Sequence, residues 1–315
     1  MSLASSRSKV VQQVAASPGL SLRERLGQDR YAAYLYVLPA VALLLAFTAY
    51  PFFVGIWFSL TDKSIGNPVV HFVGLKNFAN LLSDDIFQQT FKNTITYTVV
   101  TVVVKAVLGL ALALLMNESF PFKNAIRASL LLPWIVPTAL STLAWLWIFD
   151  PTFSTINWIL WNVFHIQALS WLGDPMLAMT SIISVNIWRG VPFFAISTLA
   201  GLQTIPQELY EAASIDGAGA MHRFRHITLP LVQPVILLVV LFSFIWTIAD
   251  FQLVFILTRG GPANMTHLFG TYAYQVSVMS TKLGEGAAIS LYMLPFLLIC
   301  IGAVLWEIRR DKGEV

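Results

Sequence analysis

The chain has 315 residues, of which 57% are hydrophobic and only 11% charged, against about 25% charged in an ordinary soluble domain. That balance excludes a water-soluble globular protein, which needs polar side chains to cover its core, and fits a chain solvated by a bilayer. The formal net charge is +3, and the basic residues sit in short segments between apolar runs without interleaved aromatics, which reports topology and excludes nucleic-acid binding.

Residues 1–30 are polar, with Arg7, Lys9, Arg23, Arg25 and Arg30, and carry no apolar stretch long enough for a signal peptide. They are expected to form a cytoplasmic tail. The first apolar run, 31–60, exceeds the roughly 20 residues that span hydrocarbon and reads as a retained first helix. Further runs at 94–116, 128–149, 177–202, 231–257 and 287–306 complete six predicted spans in an all-α integral membrane domain over 31–306, with a second cytoplasmic tail at 307–315. Pro133, Pro137 and Pro192 fall inside these runs. Helix breaks at such depth survive only where protein or a water-filled cavity satisfies the freed carbonyls, so an internal cavity is expected. The single cysteine, Cys300, lies in an apolar run, so no disulfide or thiolate cluster can form within the chain.

An even number of spans puts both termini on one side. On that side fall twelve basic residues (the five of the tail, Lys123, Arg127, Arg223, Arg225, Arg309, Arg310 and Lys312), against five opposite, Lys63, Lys76, Lys92, Arg259 and Lys282. The excess predicts cytoplasmic termini. Two outer segments are long: 61–91, expected to carry a short surface helix, and 150–175, whose Trp158, Trp161 and Trp171 suit a membrane interface.

The inner segment 203–230 reads as two short helices around a tight bend. Thr204 followed by Gln207 suits a capping box, Pro206 a first turn, and Gly217 the left-handed end of the first helix. Ala212, Ala213, Ala218, Gly219 and Ala220 allow close approach of a partner backbone, and Leu209, Tyr210 and Phe224 offer apolar anchors. A structured connection with no partner would look the same by periodicity alone.

Glu211-Ala212-Ala213, then Gly217, then Ile227-Thr228-Leu229-Pro230 resembles the EAA loop of ABC importer permeases in residue type and spacing. Ile256-Leu257-Thr258-Arg259-Gly260-Gly261-Pro262, with Thr266, Tyr272 and Tyr274 beyond it, resembles the segment after the fifth helix of carbohydrate-uptake permeases similar to those of the maltose and glycerol-phosphate importers. Val73-Gly74-Leu75-Lys76-Asn77-Phe78 resembles their first outer loop. The resemblance covers most of 31–306. It implies the type I permease fold of a binding-protein-dependent inner membrane component. It also implies a second, nonidentical permease subunit, two ATPase subunits and an extracytoplasmic solute-binding protein as partners, in contact with membrane lipid. It implies that Glu211, Ala212, Ala213, Asp216, Gly217 and Ala218 couple to the ATPase. The alternative for Glu211 is a solvated helix charge. No Gly-x-x-x-x-Gly-Lys-Ser/Thr loop appears in the sequence, so ATP and Mg are expected on the partner ATPase and no cofactor on this chain.

Lys105, Arg189 and Asp250 fall within apolar runs, where a charge costs at least ~2.5 kcal/mol and usually faces a cavity or a partner. Lys105 is the least persuasive of the three, since another subunit can satisfy it. Asn186, Arg189, Gly190 and Phe193 share one helix face, as do Trp246, Thr247 and Asp250. Hydroxyl-binding groups beside aromatic faces suit a sugar, and the resemblance adds Trp134 and Thr138 of the Pro133-to-Pro137 segment. The alternative is a structural Arg189–Asp250 ion pair with aromatics that only pack. Arg189 also suggests an acidic sugar derivative, such as a phosphate, sulfonate or uronate. A secondary transporter would use broken helices and buried charges too, but would not need the EAA loop. Neither paired carboxylates nor a nucleophile-base pair stand out, and His222 and His226 lack a third metal ligand, so an enzyme is not expected.

Overall fold

The computed structural model describes residues 34–119 and 121–312. The tail expected at 1–30 lies outside them. The chain divides into two compact units, Met1–Gly55 and Ile56–Val315. The described part of the first is the beginning of α1 (Tyr34–Ser59), which contains one π-helical turn at Leu45–Ala49. Leu35, Tyr36, Leu43 and Phe47 on it are exposed, an arrangement stable in lipid and not in water.

The second unit continues with α2 (Lys76–Leu82), α3 (Asp85–Asn117), the pair α4 (Lys123–Ile135) and α5 (Thr138–Ile148), and α6 (Thr155–Phe164). Then come α7 (Pro175–Leu202), α8 (Gln207–Ile215), α9 (Ala220–Ile248), α10 (Gln252–Leu257), α11 (Phe269–Tyr274) and α12 (Leu283–Ile308). Among the described residues five helices, α1, α3, α7, α9 and α12, are long and apolar enough to cross a membrane, and α4 with α5 makes six if that bent pair is one span. Among the described residues there is no strand, only an isolated antiparallel bridge between Thr61 and Phe72. The fold is all-α, as expected.

Three expectations about the helices are corrected. The run 128–149 is not one helix: α4 and α5 meet at 90°. Pro137 has no N–H to give the ladder, and Val136 before it is extended at φ −64°, ψ 131°, as a pre-proline residue prefers. The run 231–257 breaks after Ile248, leaving Asp250 in the gap between α9 and α10. The second helix of 203–230 is not separate, because α9 begins at Ala220 and runs straight into the fifth span. A π-helical turn at Phe224–Thr228 precedes Pro230 and absorbs the mismatch its missing donor creates.

The core of the bundle lies where α3, α7 and α9 meet. Ala113 and Met116 pack with Ala195, Leu199, Leu202 and Val232, and Val102 packs with Phe194 and Val239. Lipid tails are as apolar as these side chains, so close packing and internal hydrogen bonds, more than release of water, hold such helices together. The outer segment is tied down by polar contacts. Asn77 Nδ2 donates to the carbonyls of Ser59 and Thr61 at 2.8 Å each. The Gly-Gly-Pro element is a structural knot, with Thr266 Oγ1 donating to Gly261 O at 2.5 Å and Asn93 Nδ2 to Met265 O at 2.8 Å. Trp158 and Trp161 are exposed, while Trp171 is part-buried and its Nε1 donates to Asn157 Oδ1 at 2.9 Å.

Candidate functional site

A cavity of about 420 Å³ opens where α3, α4, α5, α7 and α9 converge, within the range of about 300–1,000 Å³ usual for ligand sites. It is lined by Lys105, Trp134, Thr138, Asn186, Arg189, Gly190, Phe193, Ser243, Trp246 and Thr247. The break at Val136–Pro137 turns the start of α5 toward α7, and there Arg189 Nη1 donates to Thr138 Oγ1 at 2.5 Å. One wall is aromatic. Phe193 stacks with Trp134 at 5.9 Å between ring centroids and tilts against Trp246 at 5.2 Å, and both tryptophans remain about half exposed. Such faces suit the C–H surface of a sugar ring.

The opposite side is a buried polar network. Lys105 Nζ donates to Asn186 Oδ1 at 2.9 Å and to Thr247 Oγ1 at 3.0 Å. Asn186 Nδ2 and the Tyr97 hydroxyl both donate to Asp250 Oδ2 at 2.8 Å, and Arg189 Nη2 lies 3.9 Å from the same oxygen. Every buried charge thus has polar company, the condition for holding ions at this depth.

Eight of the nine residues expected at a solute site line this cavity. Asp250 does not: it sits behind the wall, at the helix break, and orders the network from there. Its proposed shared face with Trp246 and Thr247 fails because the helix ends first, at Ile248. Lys105 is the reverse case. It does not face another subunit; it is buried at the centre of the network. Sequence reasoning missed Tyr97 and Ser243, whose hydroxyls look like ordinary packing in an apolar run, although Tyr97 falls two turns before Lys105 on α3.

The bend after α8 is a second candidate site. Ala218 N–H donates to Ala213 O at 2.8 Å and Gly217 N–H to Ser214 O at 3.1 Å, the paired bonds of a Schellman cap, with Gly217 at φ +80°. The expected capping box is absent. Thr204 Oγ1 donates back to Gly201 O at 2.8 Å, and α8 starts after Pro206 without a side-chain cap. The bend is fixed to α9 by Tyr210 and Thr228 hydroxyls at 3.0 Å and by Arg223 Nη1 donating to Ser214 Oγ at 2.5 Å. Glu211, Ala212, Asp216 and Gly217 face outward, while Ala213 and Ala218 are half-buried against the chain itself. Tyr210 and Phe224 are not outward anchors either; they line a cleft behind the bend. Of the anticipated anchors Leu209 is exposed, as are Ile215 and Met221, which sequence reasoning did not single out.

Residues 105–308 match the family model described as binding-protein-dependent transport system inner membrane component. The chain is similar to the trehalose/maltose transport system permease protein MalF of Thermococcus litoralis, 35% identical over 88% of this chain and 94% of the relative. It is also similar to the sulfoquinovosyl glycerol transport system permease protein SmoG of Agrobacterium fabrum, 36% identical over 90% of this chain and 92% of the relative. In fold it resembles a chain in the crystal structure of a bacterial ABC transporter involved in import of the acidic polysaccharide alginate, with a TM-score of 0.76 and 22% identity, covering 92% of this chain and 99% of that one.

Proposed function

Because the chain belongs to the binding-protein-dependent inner membrane components, as a permease subunit of the sugar ABC importer type, we propose that it carries a sugar or sugar derivative across the membrane through the cavity at Arg189. The observation that carries this reading is the pairing in one cavity of an aromatic wall, Trp134, Phe193 and Trp246, with a polar wall, Lys105, Asn186, Arg189 and Thr247. The sugar-system names of the relatives support the solute class. Family membership sets aside the secondary-transporter reading and makes the chain a transport subunit, not an enzyme. The narrower reading, an acidic sugar derivative, rests on Arg189, whose guanidinium reaches the cavity while only partly engaged by Asp250 at 3.9 Å.

In the proposed assembly this chain pairs with a second, nonidentical permease, two ATPase subunits hold ATP and Mg, and a solute-binding protein delivers the cargo on the outer face. The basic excess on the Lys123, Arg127, Arg223 and Arg225 side supports cytoplasmic termini. Glu211, Ala212, Asp216 and Gly217 then meet the ATPase, and the Schellman bend, being continuous with α9 through Gly219 and Ala220, hands nucleotide-driven movement to the helix carrying Trp246 and Thr247 as a rigid body.

The test is reconstitution of the complex in liposomes, reading ATP hydrolysis with the binding protein loaded from a panel of neutral and acidic sugars. Stimulation by a loaded sugar, lost in Glu211→Ala, is the expected result. Uptake that needs no ATPase and ignores Glu211→Ala sinks the reading.

A further inference from the structure

Basic groups outnumber acidic ones at the cavity: Lys105 and Arg189 stand against the single carboxylate of the network, Asp250. Asp250 is committed behind the wall, its Oδ2 taken by Tyr97 and Asn186 and approached by Arg189. The Lys105 ammonium instead donates to two neutral oxygens, Asn186 Oδ1 and Thr247 Oγ1, and faces the cavity. An ammonium has three donors, so one remains free.

Gly190 explains why the amine stands there. A β-carbon at position 190 would lie 2.4 Å from Lys105 Cδ, closer than carbon atoms can approach, and a tight 3.3 Å from Nζ. The lysine stem therefore crosses α7 in the notch left by this glycine. Position 190 is a seat for Lys105 and not itself a group that recognises solute. Lys105 comes from α3 and Gly190 from α7, so the amine is held where two spanning helices touch.

We propose that Lys105 is a specificity-determining residue, its ammonium receiving the anionic substituent of a sugar derivative in the cavity while the aromatic wall receives the ring. The proposal rests on the sugar-importer reading above and deepens it. An anion fills the free donor with a charge-assisted bond and balances the charged amine, whereas a neutral sugar offers only a neutral acceptor. Arg189, already bonded to Thr138, is the second cation of the pair and not the first point of contact.

The experiment is equilibrium binding to the full permease-ATPase complex in nanodiscs, without the solute-binding protein, so that only the cavity selects. The probes are methyl glucoside, methyl glucuronide and a 6-sulfonated methyl glucoside. Wild type is expected to favour the two anionic probes. Lys105→Gln should lower the anionic-to-neutral affinity ratio about tenfold, the worth of one charge-assisted hydrogen bond. Gly190→Ala keeps the charge but displaces the stem, and should move the ratio in the same direction. The double variant should add little to either, since both act through one amine. Equal affinities in wild type, or a ratio unmoved by Lys105→Gln, overturns the proposal, as does strictly additive behaviour of the two variants. The importer reading fails separately: loss of every solute-stimulated ATPase response in liposomes sinks that reading, while equal affinities with the response intact sink only this one.

Discussion

The side-chain amide of Asn186 donates to Asp250 at 2.8 Å while its oxygen accepts the Lys105 ammonium at 2.9 Å, so one neutral residue on α7 joins a cation on α3 to a carboxylate beyond the end of α9. Three spanning elements are thereby held by a single polar knot in the apolar bundle.

That knot makes Asp250 a stability residue before it is anything else. Asp250→Ala leaves Tyr97, Asn186 and Arg189 without their shared acceptor, and removing one partner of a buried charge pair typically costs about 3–5 kcal/mol. Asp250→Asn keeps an acceptor oxygen and should cost less than half as much. Thermal unfolding of the purified complex in detergent checks the order. Equal losses in the two variants would show that the carboxylate charge, and not the hydrogen-bond geometry, holds the helices.

The bend after α8 predicts a backbone effect. Nothing lies within 4 Å of a β-carbon built at Gly217, yet its φ is +80°, so a side chain there is penalised by conformation alone. A β-branched residue pays about 1–2 kcal/mol or more in the left-handed region, and asparagine less. Gly217→Val should therefore unseat Glu211 and Asp216 and reduce ATPase co-purification and solute-stimulated hydrolysis severalfold, whereas Gly217→Asn should retain most of both. Equal behaviour of the two variants would locate the effect in lost contact space at the partner.

Arg189 is the second cation at the cavity, and its prediction is also a selectivity. Arg189→Gln keeps a donor toward Thr138 but removes the charge, so uptake driven by an acidic sugar should fall about tenfold relative to a neutral one. Liposome uptake with both loaded binding-protein forms reads the ratio. If the ratio holds, the guanidinium serves only the ion pair with Asp250, and the acidic reading loses this support.

How much of the molecule is legible in its sequence follows from what each signal encodes. Apolar runs and basic flanks report the spans, because lipid contact is a property of composition. The left-handed Gly217 is readable, since few residues besides glycine end a helix that way. The 90° turn at Val136–Pro137 is only half readable: Pro133, Pro137 and Pro192 look alike in sequence, but Pro192 lies inside an unbroken α7 and Pro137 follows the end of α4. Whether a proline bends or breaks a helix depends on what satisfies the freed carbonyls. Lys105 is misjudged for a related reason. A lone lysine in an apolar run says that it has a partner, but the partners, Asn186 and Thr247, lie 81 and 142 residues away, and the notch at Gly190 that admits it is visible only when α3 and α7 are side by side.

His267 gives the pH prediction. It lies in the segment between α9 and α12, outside the spanning helices, with its Nδ1 3.1 Å from Thr271 Oγ1 and its Nε2 buried without a hydrogen-bond partner among the described residues. Burial lowers its pKa from 6.5 to about 4, only partly opposed by Gln275. The folded form thus holds a neutral ring over a range in which the unfolded chain takes up a proton. Its contribution is complete above pH 6.5, falls as the pH drops toward 4, and changes no further below that. Between pH 7.5 and 5 the loss should be about 2 kcal/mol. Thermal unfolding of wild type and His267→Gln across that interval checks it. The variant should start less stable, having lost the ring that fills the space beside Gly260, but should lose less on acidification. Parallel curves would mean that His267 does not carry the pH dependence.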